Sequence, residues 1–490
     1  MSRLSNIEQV CHSVMNEGLS KLTMNGMSQL EIKSDIPISQ KTIRDALYRT
    51  IAKMPRLSVV VINGICHPAG KTLGDLDLDY NIFEISSPLD KDEQEKYLRD
   101  DMNTVIDNGL GYRFTFYVTK PFVKNDTKVV HLNIRLSMLH SLTDGMGLMI
   151  VTKCFAESLE ESLTASEPLP LTTPLKDPKA VINIEDRHRV IPSKLPYYYG
   201  LFIFLFLWRL MMGIWLSLQA SRNLVFRKPT FSGTKDPALL DVKNVKNPNG
   251  LRIIEIDSQL TAKLISKTKM AKGSVTSLMT IAATNAYIDL AEHHNEKFTD
   301  RFNMCFAADS RPFIDDHSNY ELLQGNGFYP LVTFGYKIKN TDLFWEHVNV
   351  YKKSMVNILT HFSPMAWVTS ILPTKLLVAV YNMHRLHHKR DYAVLISNLG
   401  NFDSNRLNLT KNVKVIDTIG SGNSFFQANR HLFQLTMFTI EGAMRIVLVY
   451  PTYMVTEEDA DRYVDTFKTI LKNAAESSDL NCLEMRKRTL

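Results

Sequence analysis

The stretch from Lys128 to Glu161, KVVHLNIRLSMLHSLTDGMGLMIVTKCFAESLEE, constrains this chain more than any other. Its even positions from Val130 to His140 read Val, Leu, Ile, Leu, Met, His, and the odd ones between them read His, Asn, Arg, Ser, Leu. That is the period-2 alternation of a strand with one buried face. His140 falls in phase with the buried row at the strand's end, so it is expected to point inward. Ser141, Leu142 and Thr143 then turn the chain. Asp144 stands where a helix N-cap belongs, and Leu148, Val151, Phe155 and Leu159 recur at helical spacing after it. The expected unit is a strand, a short loop and a capped helix that deliver a histidine to the interior where they meet. An imidazole so placed can serve as general base for a hydroxyl or amine. The bland alternative is a core histidine bonded to a backbone carbonyl.

The His-x-x-x-Asp spacing alone is weak, because the chain holds 14 histidines and repeats the pattern at His387 and Asp391. The second copy lies in a polar run, HRLHHKRD, with no strand before it and Tyr392 rather than glycine after it. The copy at His140 is followed by Gly145 and framed by strand and helix. Composition sets the class around it. A length of 490 residues with 44% hydrophobic and 22% charged residues is that of a globular chain able to bury a large core. A net charge of +6 gives no basic arm or stripe, which argues against nucleic acid and leaves an anionic co-substrate or lipid open. The five cysteines are scattered, with no pair at metal-ligand spacing, and read as reduced thiols in a cytosol-facing protein.

Taken in order, residues 1–35 lack the layout of a secretory signal, and a short amphipathic helix is expected around Ile7 to Leu22. A helix from Ser39, with Ile43, Ala46, Leu47 and Ile51 on one side, stops at Pro55 and leads into a strand at Leu57–Ile62. Residues 160–195 are rich in Pro, Thr, Ser and charge and read as a surface crossover. The chain's only long apolar run follows at Leu195–Leu218, interrupted by Arg209. Its length approaches a membrane span, but an arginine near the middle is costly in lipid. An in-plane or hairpin membrane contact is therefore expected, with a buried pair of core helices as the alternative. A second globular half begins after a polar linker. It contains strands near Leu251–Ile256, Phe302–Ala308, Phe328–Ile338 and Tyr392–Ile396, then a late hairpin turning at Glu441-Gly442. Helices are expected at Ser274–Ala291 and Asp342–Ile358, with a last one over Thr456–Ala475. The expected division is 1–160, 161–249 and 250–490: a lobe bearing the His140 motif, a crossover with the apolar segment, and a second lobe. The Gly420-Ser421-Gly422 triplet reads as a flexible turn, and the cluster His384, His387, His388 as a solvated basic helix end rather than a metal site.

Three places in the sequence carry a resemblance. The first is His140-Ser-Leu-Thr-Asp144-Gly145; the second is Asp309-Ser-Arg311 with Gly325-Asn326 downstream; the third is the order of elements over nearly all of residues 35–475. Together they resemble the HxxxD acyltransferase superfamily: chloramphenicol acetyltransferase, the plant BAHD enzymes, peptide-synthetase condensation domains and fungal alcohol O-acetyltransferases. The BAHD pattern D-F-G-W-G is absent, and its nearest counterpart by position is Ser397-Asn398-Leu399-Gly400, which is similar to the fungal and condensation-type sequences.

The resemblance implies an α/β fold of two chloramphenicol-acetyltransferase-like lobes, each a mixed sheet with flanking helices, with the active-site channel between them. It implies acetyl-CoA as co-substrate, no permanently bound cofactor, no metal, and a monomer. His140 would be the general base and Asp144 would fix the loop by a charge-assisted bond to Arg311. Gly145 would let the backbone pack closely, and Ser397 and Asn398 are candidate donors to a developing oxyanion. The acceptor would be a lipophilic or small alcohol, with a long-chain sphingoid-like amine as the alternative and a non-catalytic membrane-surface binding protein as a second one. The expected location is the cytosolic face of the endoplasmic reticulum or of lipid droplets, held there through 195–218.

Overall fold

The computed structural model describes residues 2–3, 23–34, 37–62, 65–106, 108–177, 248–295, 301–309, 311, 328–360, 394–402, 410–422 and 432–487, with the side chains of 328–335 and 360 left aside. The expectations for Ile7–Leu22, the apolar run at 195–218, Gly325-Asn326 and the His384–Asp391 region lie outside these residues. In the first half the elements are β1 (Ser2–Arg3), β2 (Thr23–Lys33), α1 (Gln40–Lys53), β3 (Val59–Ile62), β4 (Ile65–Pro68), β5 (Tyr80–Ile85), α2 (Lys91–Met102), β6 (Tyr112–Thr119), β7 (Phe122–Lys124), β8 (Thr127–Leu139) and α3 (Gly145–Thr164). In the second half they are β9 (Asn249–Ile256), α4 (Ser258–Met270), α5 (Val275–His293), β10 (Arg301–Asp309), β11 (Phe328–Lys337), α6 (Phe344–Thr360) and β12 (Val394–Asn401). There follow β13 (Val413–Gly422), β14 (Phe433–Ile440), β15 (Ala443–Pro451), α7 (Glu457–Glu476) and α8 (Cys482–Met485).

Two six-stranded mixed sheets organise the fold. The first runs β13-β2-β8-β6-β5, with β7 paired to the start of β8; the second runs β11-β10-β12-β14-β15-β9. The even row of β8, Val130 to Met138, is buried beneath α1 and α3, whose Ile43, Leu47, Ile51, Leu148, Val151 and Phe155 complete that core. The second sheet is covered by α5, α6 and α7 in a separate core. Chain order predicts these helices well. Ser39, Asp144, Ser274 and Thr456 each accept a backbone N–H in the first turn of the helix that follows. The late hairpin turns at Glu441 and Gly442, both at positive φ (48° and 81°), the pair of values a two-residue turn of this hand needs.

Three expectations are corrected. Gly420–Gly422 is not a turn but the end of β13, paired antiparallel with β2 as Gly420↔Gly26, Ser421↔Asn25 and Gly422↔Met24. A Cβ on Gly420 would lie 2.8 Å from the Asn25 carbonyl oxygen, so the two glycines allow the strands to meet. A strand from late in the chain thus completes the sheet that holds His140, and the two sheets do not divide the chain at a single point. The second correction concerns the odd face of β8, which is not solvated: His131, Asn133 and Ser137 are buried. Helix α2 packs over it, where Asp101 forms an ion pair with Arg135 (Oδ2 to Nε 2.9 Å) and Tyr97 stacks on Tyr117. The third concerns the strand expected at Tyr392–Ile396, which continues as β12 through Ser397-Asn398-Leu399-Gly400.

Helix α2 also ties the two sheets together. Strand β9 is an edge strand, and its outward N–H groups are met by side chains of the first half. Asn103 Oδ1 accepts from Asn249 N (3.0 Å) and Glu95 Oε2 from Ile253 N (3.1 Å). Capping an exposed edge in this way removes a site for unwanted strand pairing. Between the sheets, Met27, Leu98, Met102 and Ile419 pack against Leu251, Ile253, Val447 and Val449.

Candidate active site

The end of β8 is anchored on both sides. Met138 lies opposite Met24 of β2 and Tyr112 of β6, and Leu139 N donates to Gly111 O at 2.8 Å. Gly111 sits at φ +74°, and a Cβ there would meet Leu139 Cδ1 at 2.7 Å, so both its conformation and its space call for glycine. The chain leaves the ladder in a turn closed by Leu142 N donating to Leu139 O. His140 begins that turn and is 8% exposed.

Four residues on, Asp144 ends the turn and makes two kinds of contact. Its Oδ1 accepts from Gly147 N at 2.8 Å, which caps α3. The same carboxylate takes a two-pronged bond from Arg311: Nη2 to Oδ1 at 2.7 Å and Nη1 to Oδ2 at 3.1 Å. Arg311 lies two residues past the end of β10, a strand of the second sheet. Asp309 holds it from behind, accepting from Arg311 N at 3.1 Å and from Nη1 at 2.8 Å. Burial works against the charge on Arg311, but the two carboxylates more than offset it and hold the guanidinium above its usual range. The planar fork of arginine suits this geometry as a lysine would not. The result is a buried ionic clasp between the lobes, four residues from the histidine.

Gly145, the first residue of α3, lies beneath the second lobe. A Cβ there would come within 2.9 Å of Leu399 Cδ1, so the leucine rests on the bare backbone. Leu399 belongs to an irregularity in β12, where the pairing with β14 shifts register between Asn398 and Asn401. Gly400 adopts φ +94° within it, and Asn398 braces it: Oδ1 accepts from Gly400 N (3.0 Å) while Nδ2 donates to Thr276 Oγ1 (3.1 Å). Asn398 is thus engaged in holding the backbone, with one amide hydrogen left over. Ser397 is half-buried on the regular part of β12, opposite Thr436. Asp144, Gly145 and Arg311 are therefore gathered at one point of the seam, with His140 at the other end of the same turn, and Ser397 and Asn398 precede the Leu399 that rests on Gly145. Two contributors carried no assignment in the sequence. Asp309 had a signal, being part of the Asp309-Ser-Arg311 segment; Leu399 had none, since an isolated leucine announces no contact. Among the described residues no group of three or more His, Cys, Asp or Glu side chains is placed to hold a metal ion, and no helix is long and apolar enough to cross a membrane.

The same architecture occurs in solved structures. The trichothecene 15-O-acetyltransferase TRI3 from Fusarium sporotrichioides matches over 96% of this chain and 95% of its own, at TM-score 0.65 and 10% identity. The chain has that fold. The first condensation domain of the CDA synthetase matches over 99% and 98% at TM-score 0.57 and 11% identity. The epimerization domain of the third module of tyrocidine synthetase B matches over 94% and 93% at 0.55 and 13%. No protein-family model and no curated protein sequence matches the chain.

Proposed function

We propose that this protein is an acyltransferase that moves the acetyl group of acetyl-CoA to a lipophilic or small alcohol, with His140 as general base. One observation carries the reading: the histidine stands in a turn whose other end, Asp144, is bonded across the seam to Arg311. A buried ion pair is an expensive way to hold a loop. It is understandable where the histidine at the loop's other end must keep its place to within a fraction of an ångström. The similarity in fold to TRI3, a trichothecene 15-O-acetyltransferase, supports the same reading.

In this mechanism the acceptor O–H donates its proton to the His140 imidazole as its oxygen attacks the thioester carbonyl. The carbonyl π electrons move onto oxygen, and the resulting tetrahedral species collapses with cleavage of the C–S bond. The departing thiolate takes the proton back from the imidazolium, so the enzyme ends as it began. General-base assistance of this kind contributes about 10²–10⁴-fold, and holding two substrates in register about 7–11 kcal/mol. Asp144 and Arg311 take no part in proton transfer; they position the turn. Asn398 gives one amide hydrogen to Thr276 and its oxygen accepts from Gly400 N, so it and Ser397 are both kept as candidate oxyanion donors.

The reading also bears on the membrane. A single crossing by Leu195–Leu218 would put His140 and Arg311 on opposite sides of a bilayer, whereas the Asp144–Arg311 bond requires them on one. The run is accordingly read as a re-entrant or in-plane anchor, with both lobes on the cytosolic face of the endoplasmic reticulum or of lipid droplets. Tags near residues 165 and 240 should then behave alike under protease in sealed microsomes; protection of only one would contradict this topology. For the chemistry, the purified protein is incubated with labelled acetyl-CoA and a panel of alcohols and sphingoid bases. Label in esters supports the proposal, label in amides alone replaces it with N-acetylation, and no label at all leaves a binding protein.

A further inference from the structure

The turn that carries His140 is supported at its start as well as at its end, and the support is Gly111. The Gly111 carbonyl accepts from Leu139 N at 2.8 Å, the residue before the histidine. A Cβ on Gly111 would meet Leu139 Cδ1 at 2.7 Å and Leu142 Cδ1 at 3.2 Å, so the leucines on either side of His140-Ser141 both rest on it. Gly111 does this at φ +74°, a conformation that glycine permits but does not by itself select. The selection comes from Asn108, in the loop between α2 and β6. Its Oδ1 accepts from Gly111 N at 2.8 Å and its Nδ2 donates to Tyr112 O at 2.6 Å, so one amide straddles the glycine. Nδ2 also donates to Asp79 Oδ2 at 3.3 Å, and Asp79 in turn accepts from Arg113 Nε at 2.8 Å. An asparagine bonded to backbone three and four residues ahead of it holds a turn in one shape. Here Asp79 and Arg113 hold the asparagine.

We infer that Asn108 is a positioning residue for the turn that carries His140. By holding Gly111 in its left-handed conformation it fixes the carbonyl that receives Leu139 N, and with it the direction in which the chain leaves β8. This rests on the acyltransferase reading above. Its route to the histidine runs through backbone: Asn108 Oδ1 to Gly111 N, then Gly111 O to Leu139 N. Asp144 and Arg311 fix the far end of the turn from across the seam, whereas Asn108 fixes the near end from within the first lobe. A misplacement of about 1 Å caused by a change away from the chemistry can cost about 10²-fold in rate. Removing the brace should therefore slow the chemical step and leave the binding of both substrates close to that of the wild type.

The test measures kcat and KM separately for the full chain, with acetyl-CoA and the best acceptor from the panel of alcohols and sphingoid bases. Two variants are compared with wild type, each at a denaturant concentration of zero and with its unfolding midpoint recorded. Asn108→Ala removes the whole amide; Asn108→Asp keeps its shape but loses both donated bonds and sets a carboxylate against Asp79. In each, kcat should fall by about 10–100-fold while KM for acetyl-CoA and for the acceptor stays within about two-fold. The control is Asn473, a buried asparagine of α7 whose Nδ2 donates to Met485 O (3.0 Å) and Lys487 O (2.9 Å) in the second lobe. Asn473→Ala should lower the unfolding midpoint and leave kcat within about two-fold of wild type. A kcat within two-fold of wild type in whichever Asn108 variant folds would overturn the inference. So would an equal loss of kcat in Asn473→Ala, because rate would then follow stability rather than position. Wild-type protein that acetylates no member of the panel would overturn the acyltransferase reading itself, and this inference with it.

Discussion

Two of the arginines that bridge the lobes of this protein do so in opposite ways. Arg311 is buried, gripped by Asp144 from the first lobe and by Asp309 from its own. Arg252, on the edge strand β9, reaches Glu95 of α2 as well as Glu457 and Asp461 of α7, and the last two are more than half exposed. A surface network of that kind is screened by water and salt, and holds a shape that the neighbouring apolar contacts already favour. The buried clasp cannot draw on water. It is worth having only complete, because removing one partner strands the other charge in a dry interior. The difference teaches that this fold requires more closely fixed geometry at the turn that carries His140 than at the solvated end of the seam around Arg252.

The largest expected effect breaks the first bridge and leaves the second. Arg311→Ala and Asp144→Asn should each destabilise the protein by about 3–5 kcal/mol, read from denaturant midpoints at constant slope. Asn can still cap α3, so a small effect of Asp144→Asn would mean that the charge itself matters little. The double variant should be less destabilised than the sum of the two, and full additivity would show that the pair does not act as a unit. Next in size is the sheet that supports the turn. Gly420→Ala places a Cβ 2.8 Å from a backbone oxygen of β2, which cannot swing aside as a side chain would. An overpacking cost of about 1–3 kcal/mol should appear in thermal melts, with loss of acetyl transfer following from the shifted strand. The smallest effect belongs to the second bridge. Arg252→Ala should cost less than about 1 kcal/mol, and adding salt to the wild type should remove much of that difference. A cost matching that of Arg311→Ala would erase the contrast drawn between the two.

The same contrast explains what could be read from the chain beforehand. The β8–turn–α3 unit was legible because each signal lies within it: a period-2 row, a capping aspartate, a helical row. Strands β2 and β13 were not, although they complete that very sheet. Their sequences, TMNGMSQLEIK and VKVIDTIGSG, carry glycine, asparagine and serine where alternation would show, since each is covered on both faces and the two pair at a Gly26–Gly420 contact. The odd face of β8 misled for a related reason. His131, Asn133 and Ser137 look solvated in the sequence, yet α2 lies over them, and nothing local announces a helix arriving from elsewhere. Within the site, the pairing of Asp144 with Arg311 was suggested by a resemblance rather than by spacing, as 167 residues separate them. Leu399 could be found only in three dimensions.

The account stands or falls on His140. The measurement is single-turnover acetyl transfer by His140→Ala, alongside its unfolding midpoint and the control His387→Ala. Loss of rate by about 10²–10⁴-fold with the midpoint near that of wild type, and His387→Ala unchanged, is the predicted result. Transfer within a few-fold of wild type in His140→Ala would remove the histidine from the chemistry and leave the clasp beside it without a catalytic purpose.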